Sequence, residues 1–467
     1  MSANATPLPS SFRDNSGFVF AREGVIHRQI NNAGAQDYDA LIDSGLRDAL
    51  VGRGLLVEHE EVDVSEAPGP DAYKLIRPQA IPLITYPYEW CFGQLKDAAL
   101  VTVEVQKIAM EHGMSLRDAS AYNIQWLDGR PVLIDTLSFE KLKEGEPWVA
   151  YRQFCQHFLA PLALMSYCDV RLGQLLRAFI DGVPLDLAAE LLPKKARLHP
   201  PLLLHVFSHA KSHARAGRKD MSGEAEKRRG SFSMRAFQGL IDSLEGAIKK
   251  LTWEPPQRGW ATYYGDRESY SEESLSHKEA LFRDLVAASG ARVIWDLGAN
   301  TGHFSRIAAE VANAELVASW EMEWSCVEAN YRQAKDESST VILPLVLDLS
   351  NPSPALGWAH AERDSVLGRG PADLVLALAL IHHLAIANNV PLELLASFLR
   401  QAGRSLIIEF VPKEDPMVAQ LLANREDIFP DYTREGFERA FKEEFTVERA
   451  ESIKGSDRVL YLLHSKS

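Results

Sequence analysis

The chain has 467 residues, 46% of them hydrophobic and 24% charged, enough for two or three soluble domains each with its own core. Its formal net charge of −14 excludes a molecule drawn to nucleic acid or anionic lipid by its overall field, leaving only local basic patches. Cys91, Cys155, Cys168 and Cys326 are scattered without CxxC or His spacing, so neither a disulfide framework nor a zinc site is expected. No apolar run reaches the roughly 18 residues of a membrane span, and the N-terminus lacks a signal-peptide pattern. The expected location is cytoplasmic.

Taken in chain order, residues 1–193 carry extended runs, GLLVEHEEVDV and YKLIRPQAIPLITYPYEW, followed by a helical run over 95–112 in which Ala98, Val101, Val105 and Ile108 recur. This predicts an α+β domain. Residues 194–245 form a basic helical linker region, with ten Lys or Arg between 194 and 229 against Asp220, Glu224 and Glu226. A solvated helix followed by a mobile linker accounts for that run, and anion binding is the alternative. Over 246–467 the pattern alternates: a helix at 271–289, a strand at ARVIWDLG, a helix at HFSRIAAEVA, a strand at ELVASW, a helix at SCVEANYRQAK, then strands VILPLVL, ADLVLALA and SLIIEF. Apolar strands alternating with helices predict an α/β doubly wound parallel sheet, and FTVERAESI and RVLYLLHS around a short polar turn predict a C-terminal antiparallel hairpin.

The richest stretch is VIWDLGANTGHFSRIAAE at 293–310. A strand ends at Asp296, Gly298 and Gly302 bracket a tight turn around Asn300, and a helix begins near His303. Glycines there admit close backbone approach to a ligand, and the spacing is not that of the dinucleotide fingerprint GxGxxG. DLGANTG resembles the first motif, DxGxxxG, of the class I S-adenosylmethionine-dependent methyltransferase family, and the likeness covers about 260–467. The resemblance implies a Rossmann-like seven-stranded sheet with S-adenosylmethionine held by Asp296, Gly298, Asn300 and Gly302. It further implies Glu321 on the ribose hydroxyls, with Glu323 two positions on as the alternative, and Asp348 on the adenine amino group. In ALALIHHLAIANN, His382 and His383 fall in the loop that in this family faces the methyl group. An imidazole there either removes the acceptor's proton or packs under the helix. Glu409 ends the fifth strand on the same edge, to orient substrate or to pair with Lys413. Trp260, Tyr263, Tyr264 and Tyr270 precede the domain's first helix, to shield the sulfonium or to pack on the sheet. No resident metal is expected.

In the N-terminal domain, Asp118, Asn123 and Asp135 in LRDASAYN and VLIDT resemble the HRDxxxxN and DFG motifs of protein kinases and aminoglycoside phosphotransferases. Lys74 in AYKLI resembles the strand lysine that contacts phosphates. The resemblance implies Asp118 as the proton acceptor and Asn123 and Asp135 as magnesium ligands. LRD stands for HRD, DTL for DFG, and only Gly52 and Gly54 precede Lys74, so a degenerate kinase-like domain that helps bind substrate is expected. The whole chain therefore reads as a methyltransferase acting on a small-molecule O or N acceptor, with nucleic acid and membrane not expected as partners. A bifunctional phosphotransferase and methyltransferase, or a cofactor-binding scaffold without turnover, are the rival readings.

Overall fold

The computed structural model describes residues 6–208, 233–256, 271–423 and 426–466. They divide into two compact units, Met1–Glu254 with Gly357–Glu362, and Pro255–Leu356 with Arg363–Ser467.

The first unit opens with a five-stranded antiparallel sheet of β1 (Thr6–Pro7), β2 (Gly17–Arg22), β3 (Val25–Asn31), β4 (His59–Val62) and β5 (Ala72–Pro78), in the order β1-β2-β3-β5-β4. Helices α1 (Ala35–Asp43) and α2 (Leu46–Val51) connect β3 to β4. The β2–β3 hairpin closes on Glu23 and Gly24, both at positive φ, as a two-residue turn demands. A long helix, α3 (Phe92–Glu111), buries Leu95, Ala98, Val103, Val105 and Ile108 together with the polar Gln94, Thr102 and Gln106. Beyond it lie two small antiparallel pairs: β6 (Met114–Leu116) with β9 (Phe139–Lys141), and β7 (Ile124–Leu127) with β8 (Arg130–Leu133). Helix α4 (Met234–Lys250) buries Phe237, Ile241, Leu244, Ala247 and Ile248, and its Glu245 ion-pairs with Lys107 of α3 at 2.9 Å. α4 packs on α3, and the first unit runs to Glu254. Of the linker region expected over 194–245, residues 209–232 lie outside the described residues.

The second unit is one seven-stranded sheet. Its strands are β10 (Val293–Leu297), β11 (Leu316–Glu321), β12 (Ile342–Val346), β13 (Ala372–Ala377), β14 (Gly403–Phe410), β15 (Phe445–Ser452) and β16 (Val459–Ser465), in the order β12-β11-β10-β13-β14-β16-β15. The first five are parallel, and β16 runs antiparallel to both β14 and β15. Helix α5 (Glu272–Ser289) precedes β10, and α6 (His303–Ala312), α7 (Trp324–Asp336), α8 (Leu392–Ala402) and α9 (Arg434–Glu444) lie between successive strands. The parallel strands read as continuous apolar runs because helices cover both faces, and their core centres on Ile294, Val317, Leu374, Leu376, Ile407 and Leu462 with Phe282, Phe304 and Ile307 from the helices. Between β10 and β13 the winding direction reverses. Open α/β sheets bind their ligands outside the carboxyl ends of the strands at such a switch point. Among the described residues no helix is long and apolar enough to cross a membrane.

Candidate functional site at the switch point

The turn after β10 and the acid ending β11 are locked together. Gly298 stands at φ +78° and Gly302 at φ +82°, a region open to glycine but rarely to other residues. A Cβ on Gly302 would lie 2.4 Å from the Asn330 side chain, so this glycine serves the packing of the turn on α7. A Cβ on Gly298 would meet Leu380, in the loop after β13, at 3.2 Å. Asn300, itself at φ +51°, donates its backbone N–H to Glu321 Oε2 at 3.0 Å, and Glu323 donates its own to Oε1 at 2.9 Å. Glu323 is occupied in another way: its side chain caps α7, accepting from Ser325 Oγ at 3.0 Å. Glu323 is thus committed to the helix cap, and Glu321 to the glycine turn.

Glu321 is held by main-chain donors alone, and among the described residues no Lys or Arg pairs with it. Burial raises its pKa. A carboxylate offers about four acceptor positions, so about one remains for a ligand hydroxyl after the Asn300, Met322 and Glu323 amides are counted. Asp296 is 2% exposed and accepts Ser305 Oγ at 2.6 Å; burial pushes its carboxyl up to about 6 against that bond. That bond ties the end of β10 to the first turn of α6. Asp348 is exposed, two residues beyond the end of β12, with Oδ1 taking the Ser350 amide at 2.8 Å and hydroxyl at 2.6 Å. The donors and acceptors at these strand ends fit an adenosine-type ligand with a ribose diol.

On the β13 side the two histidines differ. His382 is 1% exposed with Nδ1 lacking a partner, and burial, helped by His383 and Arg458, drives its pKa down to about 3. His383 is half-buried, its ring 4.2 Å from that of His382, with its pKa lowered by burial. Both imidazoles are neutral near pH 7. Glu409 departs from expectation: its partners are Lys278 at 2.7 Å and Arg458 at 3.4 Å, all three buried, while Lys413 pairs with Asp427. A carboxylate met by two cations is a poor proton acceptor. Trp260, Tyr263, Tyr264 and Tyr270 lie outside the described residues.

In the first unit, Asp118, Asn123 and Asp135 do come together. Burial raises the Asp118 pKa, the charge of Asp135 adds to it, and hydrogen bonds from Ser120, Gln153 and Asn123 oppose it. Lys74 does not join them, because its ammonium is paired with Glu61 at 2.6 Å near the sheet edge. The cation beside Asp135 is Arg28 of β3, 2.8 Å from Oδ1 and held from its other side by Asp14 at 3.2 Å. This set does not fit a magnesium nucleotide. The Asp135 charge is already met by a guanidinium, and the two-residue β2–β3 turn leaves no loop to fold over phosphates.

The residues not foreseen are Lys278, Arg458 and Arg28. Lys278 had a legible signal, since it lies with Ser274, Phe282 and Leu285 on the buried stripe of α5, where a lone lysine demands a partner. Arg458 opens the apolar run of β16 in the same way. Arg28 had none, because its partners are set by tertiary packing.

Sheet order, strand polarity and the glycine turn define the second unit as a class I methyltransferase fold. The chain belongs to the nodulation protein NoeA family: it is 35% identical to nodulation protein NoeA of Rhizobium meliloti (strain 1021) over 463 residues, 98% of this chain and 96% of the relative. No protein-family model matches. Similar solved structures include PH0226 protein from Pyrococcus horikoshii OT3, with 19% identity, TM-score 0.31, and coverage of 44% of this chain and 98% of that one. Magnesium protoporphyrin IX methyltransferase from Synechocystis PCC 6803 with bound SAH shows 17% identity and TM-score 0.31 over 44% and 93% of the two chains. A SAM-dependent methyltransferase from Aquifex aeolicus shows 13% identity and TM-score 0.31 over 46% and 100%.

Proposed function

We propose that this chain transfers a methyl group from S-adenosylmethionine to an oxygen or nitrogen of a small molecule, with the first unit helping to bind that acceptor. The observation that carries the proposal is the contrast between two acids on one sheet edge, the buried Glu409 and the partly exposed Glu321. Glu409 is consumed by cations, whereas Glu321 is fixed only by neutral amides of the glycine turn and keeps acceptor capacity. The turn amides around Asn300, the Glu321 carboxylate and Asp348 are the residues that would hold the cofactor. When bound, the cofactor supplies a methyl group activated by its sulfonium. The chain's part is to hold the acceptor in line and to exclude water. With Glu409 paired and His382 buried with its pKa driven down to about 3, proton removal from a hydroxyl or amine falls to His383, the more accessible of the two imidazoles.

Calorimetry of the purified chain with S-adenosylmethionine and S-adenosylhomocysteine tests the reading. One-site binding, weakened at least about tenfold by Glu321→Ala in a folded protein, is the expected result. Unchanged affinity in that variant would overturn the site.

A further inference from the structure

Two buried cations converge on one carboxylate in the second unit. Lys278 Nζ donates to Glu409 Oε2 at 2.7 Å and also lies 4.7 Å from the centre of the Phe304 ring. Arg458 donates to Glu409 Oε1 at 3.4 Å and grips Asp415 with Nε at 2.7 Å and its terminal nitrogen at 3.0 Å. Lys278, Glu409 and Arg458 are each no more than 2% exposed. Such a group is a weak source of stability, because desolvation of the charges offsets most of their attraction and apolar residues of similar volume often do as well. Its geometry gives it another role. Glu409 Oε2 also accepts the backbone N–H of Ala379 at 2.9 Å, and Ala379 stands at φ +48°, a left-handed conformation that a residue with a Cβ keeps only when its surroundings impose it. Ala379 follows β13 and begins the turn that carries Leu380, which abuts Gly298, then His382 and His383.

We propose that Lys278 and Arg458 are positioning residues: they fix the Glu409 carboxylate, the carboxylate fixes the Ala379 amide, and the turn so held presents His382 and His383 next to the glycine turn. Glu409 is on this account a positioning residue and not the base. The functional meaning of the frame rests on the cofactor reading above, but its effect on the turn is measurable separately.

The test is hydrogen exchange of the full chain, read at the Ala379 amide and over 378–388, with melting temperature and S-adenosylhomocysteine affinity measured on the same samples. In the wild type the Ala379 amide should exchange as slowly as the amides of β13. Exchange within about tenfold of an unstructured peptide overturns the proposal without any variant. Lys278→Met/Glu409→Leu replaces the ion pair by apolar groups and should melt close to the wild type while exchanging at least about tenfold faster over 378–388. Lys278→Met/Glu409→Gln retains an oxygen for the Ala379 N–H and should restore the slow exchange. Unchanged exchange in the Met/Leu variant at a wild-type melting temperature overturns the proposal. The expected exchange pattern in a wild type that binds no S-adenosylhomocysteine supports the frame and overturns the cofactor reading instead.

Discussion

Glu321 accepts the backbone N–H of Asn300 at 3.0 Å, so the acid at the end of β11 and the turn after β10 act as one piece. Substitutions on either side of that bond should therefore weaken the same ligand. Gly298→Val forces a β-branched residue to φ +78° and brings its Cβ against Leu380, so S-adenosylhomocysteine affinity should fall at least about tenfold, or about 1.4 kcal/mol. Gly302→Ala acts differently. Its Cβ meets Asn330 at 2.4 Å, so the melting temperature should drop along with affinity. Calorimetry and thermal unfolding of both variants separate the two effects, and a Gly298→Val protein with full affinity would remove the turn from the site.

The buried ion pairs predict an asymmetric response. Lys278→Met alone leaves Glu409 without its nearest cation in a dry setting and should cost about 3–5 kcal/mol, read as a large loss in urea unfolding. Lys413→Met breaks the pair with Asp427, a half-exposed contact, and should leave the unfolding midpoint nearly unchanged. Equal losses in the two variants would mean that Lys278 is not held as the structure has it.

Much of the second unit was legible because period and polarity agree there. HFSRIAAEVA is α6 to the residue, and the strand runs ARVIWDLG, ELVASW and SLIIEF differ from β10, β11 and β14 by only a residue or two at their ends. The place of Glu321 at the end of β11 was legible for the same reason, since it ends an apolar run. The partner of Glu409 was not. Lys413 is four residues away in sequence and was the natural choice, but the strand end turns inward to Lys278, 131 positions earlier, and a contact of that range leaves no local pattern. In the first unit the extended run YKLIRPQAIPLITYPYEW yields only Ala72–Pro78 as strand, because Pro78, Pro82 and Pro87 remove the donors a longer ladder needs. Lys74 was misplaced likewise: facing Ile30 across the β3–β5 ladder, it reaches Glu61, while Arg28 reaches Asp135.

That exchange of cations sets the next prediction. With Arg28 on Asp135 and Lys74 on Glu61, the first unit should neither hydrolyse ATP nor transfer its phosphate, with or without magnesium. Incubation of the full chain with radiolabelled ATP and candidate polyol or sugar acceptors should give no labelled product above background. Label incorporated by the wild type and abolished by Asp135→Asn would establish the bifunctional reading.

The last prediction concerns pH and follows from His382. Its folded pKa, about 3, lies below the ordinary value of 6.5, so in the interval between them the unfolded chain binds a proton that the folded chain refuses. Stability contributed by keeping this imidazole neutral is therefore full above about pH 7 and is lost as the pH falls through 6.5 toward 3. Asp296 works in the opposite sense. Its carboxyl, raised to about 6, lets the folded state hold a proton that the unfolded chain has released, so it favours folding as the pH falls from about 6 toward 4. The two offset each other below pH 6, and the window from 7.5 to 6 shows the histidine most clearly. Over that window His382→Asn should flatten the decline in unfolding free energy by about 1 kcal/mol, with the wild type and variant compared in urea at each pH. A variant that declines as steeply as the wild type would show that the buried imidazole does not set this slope.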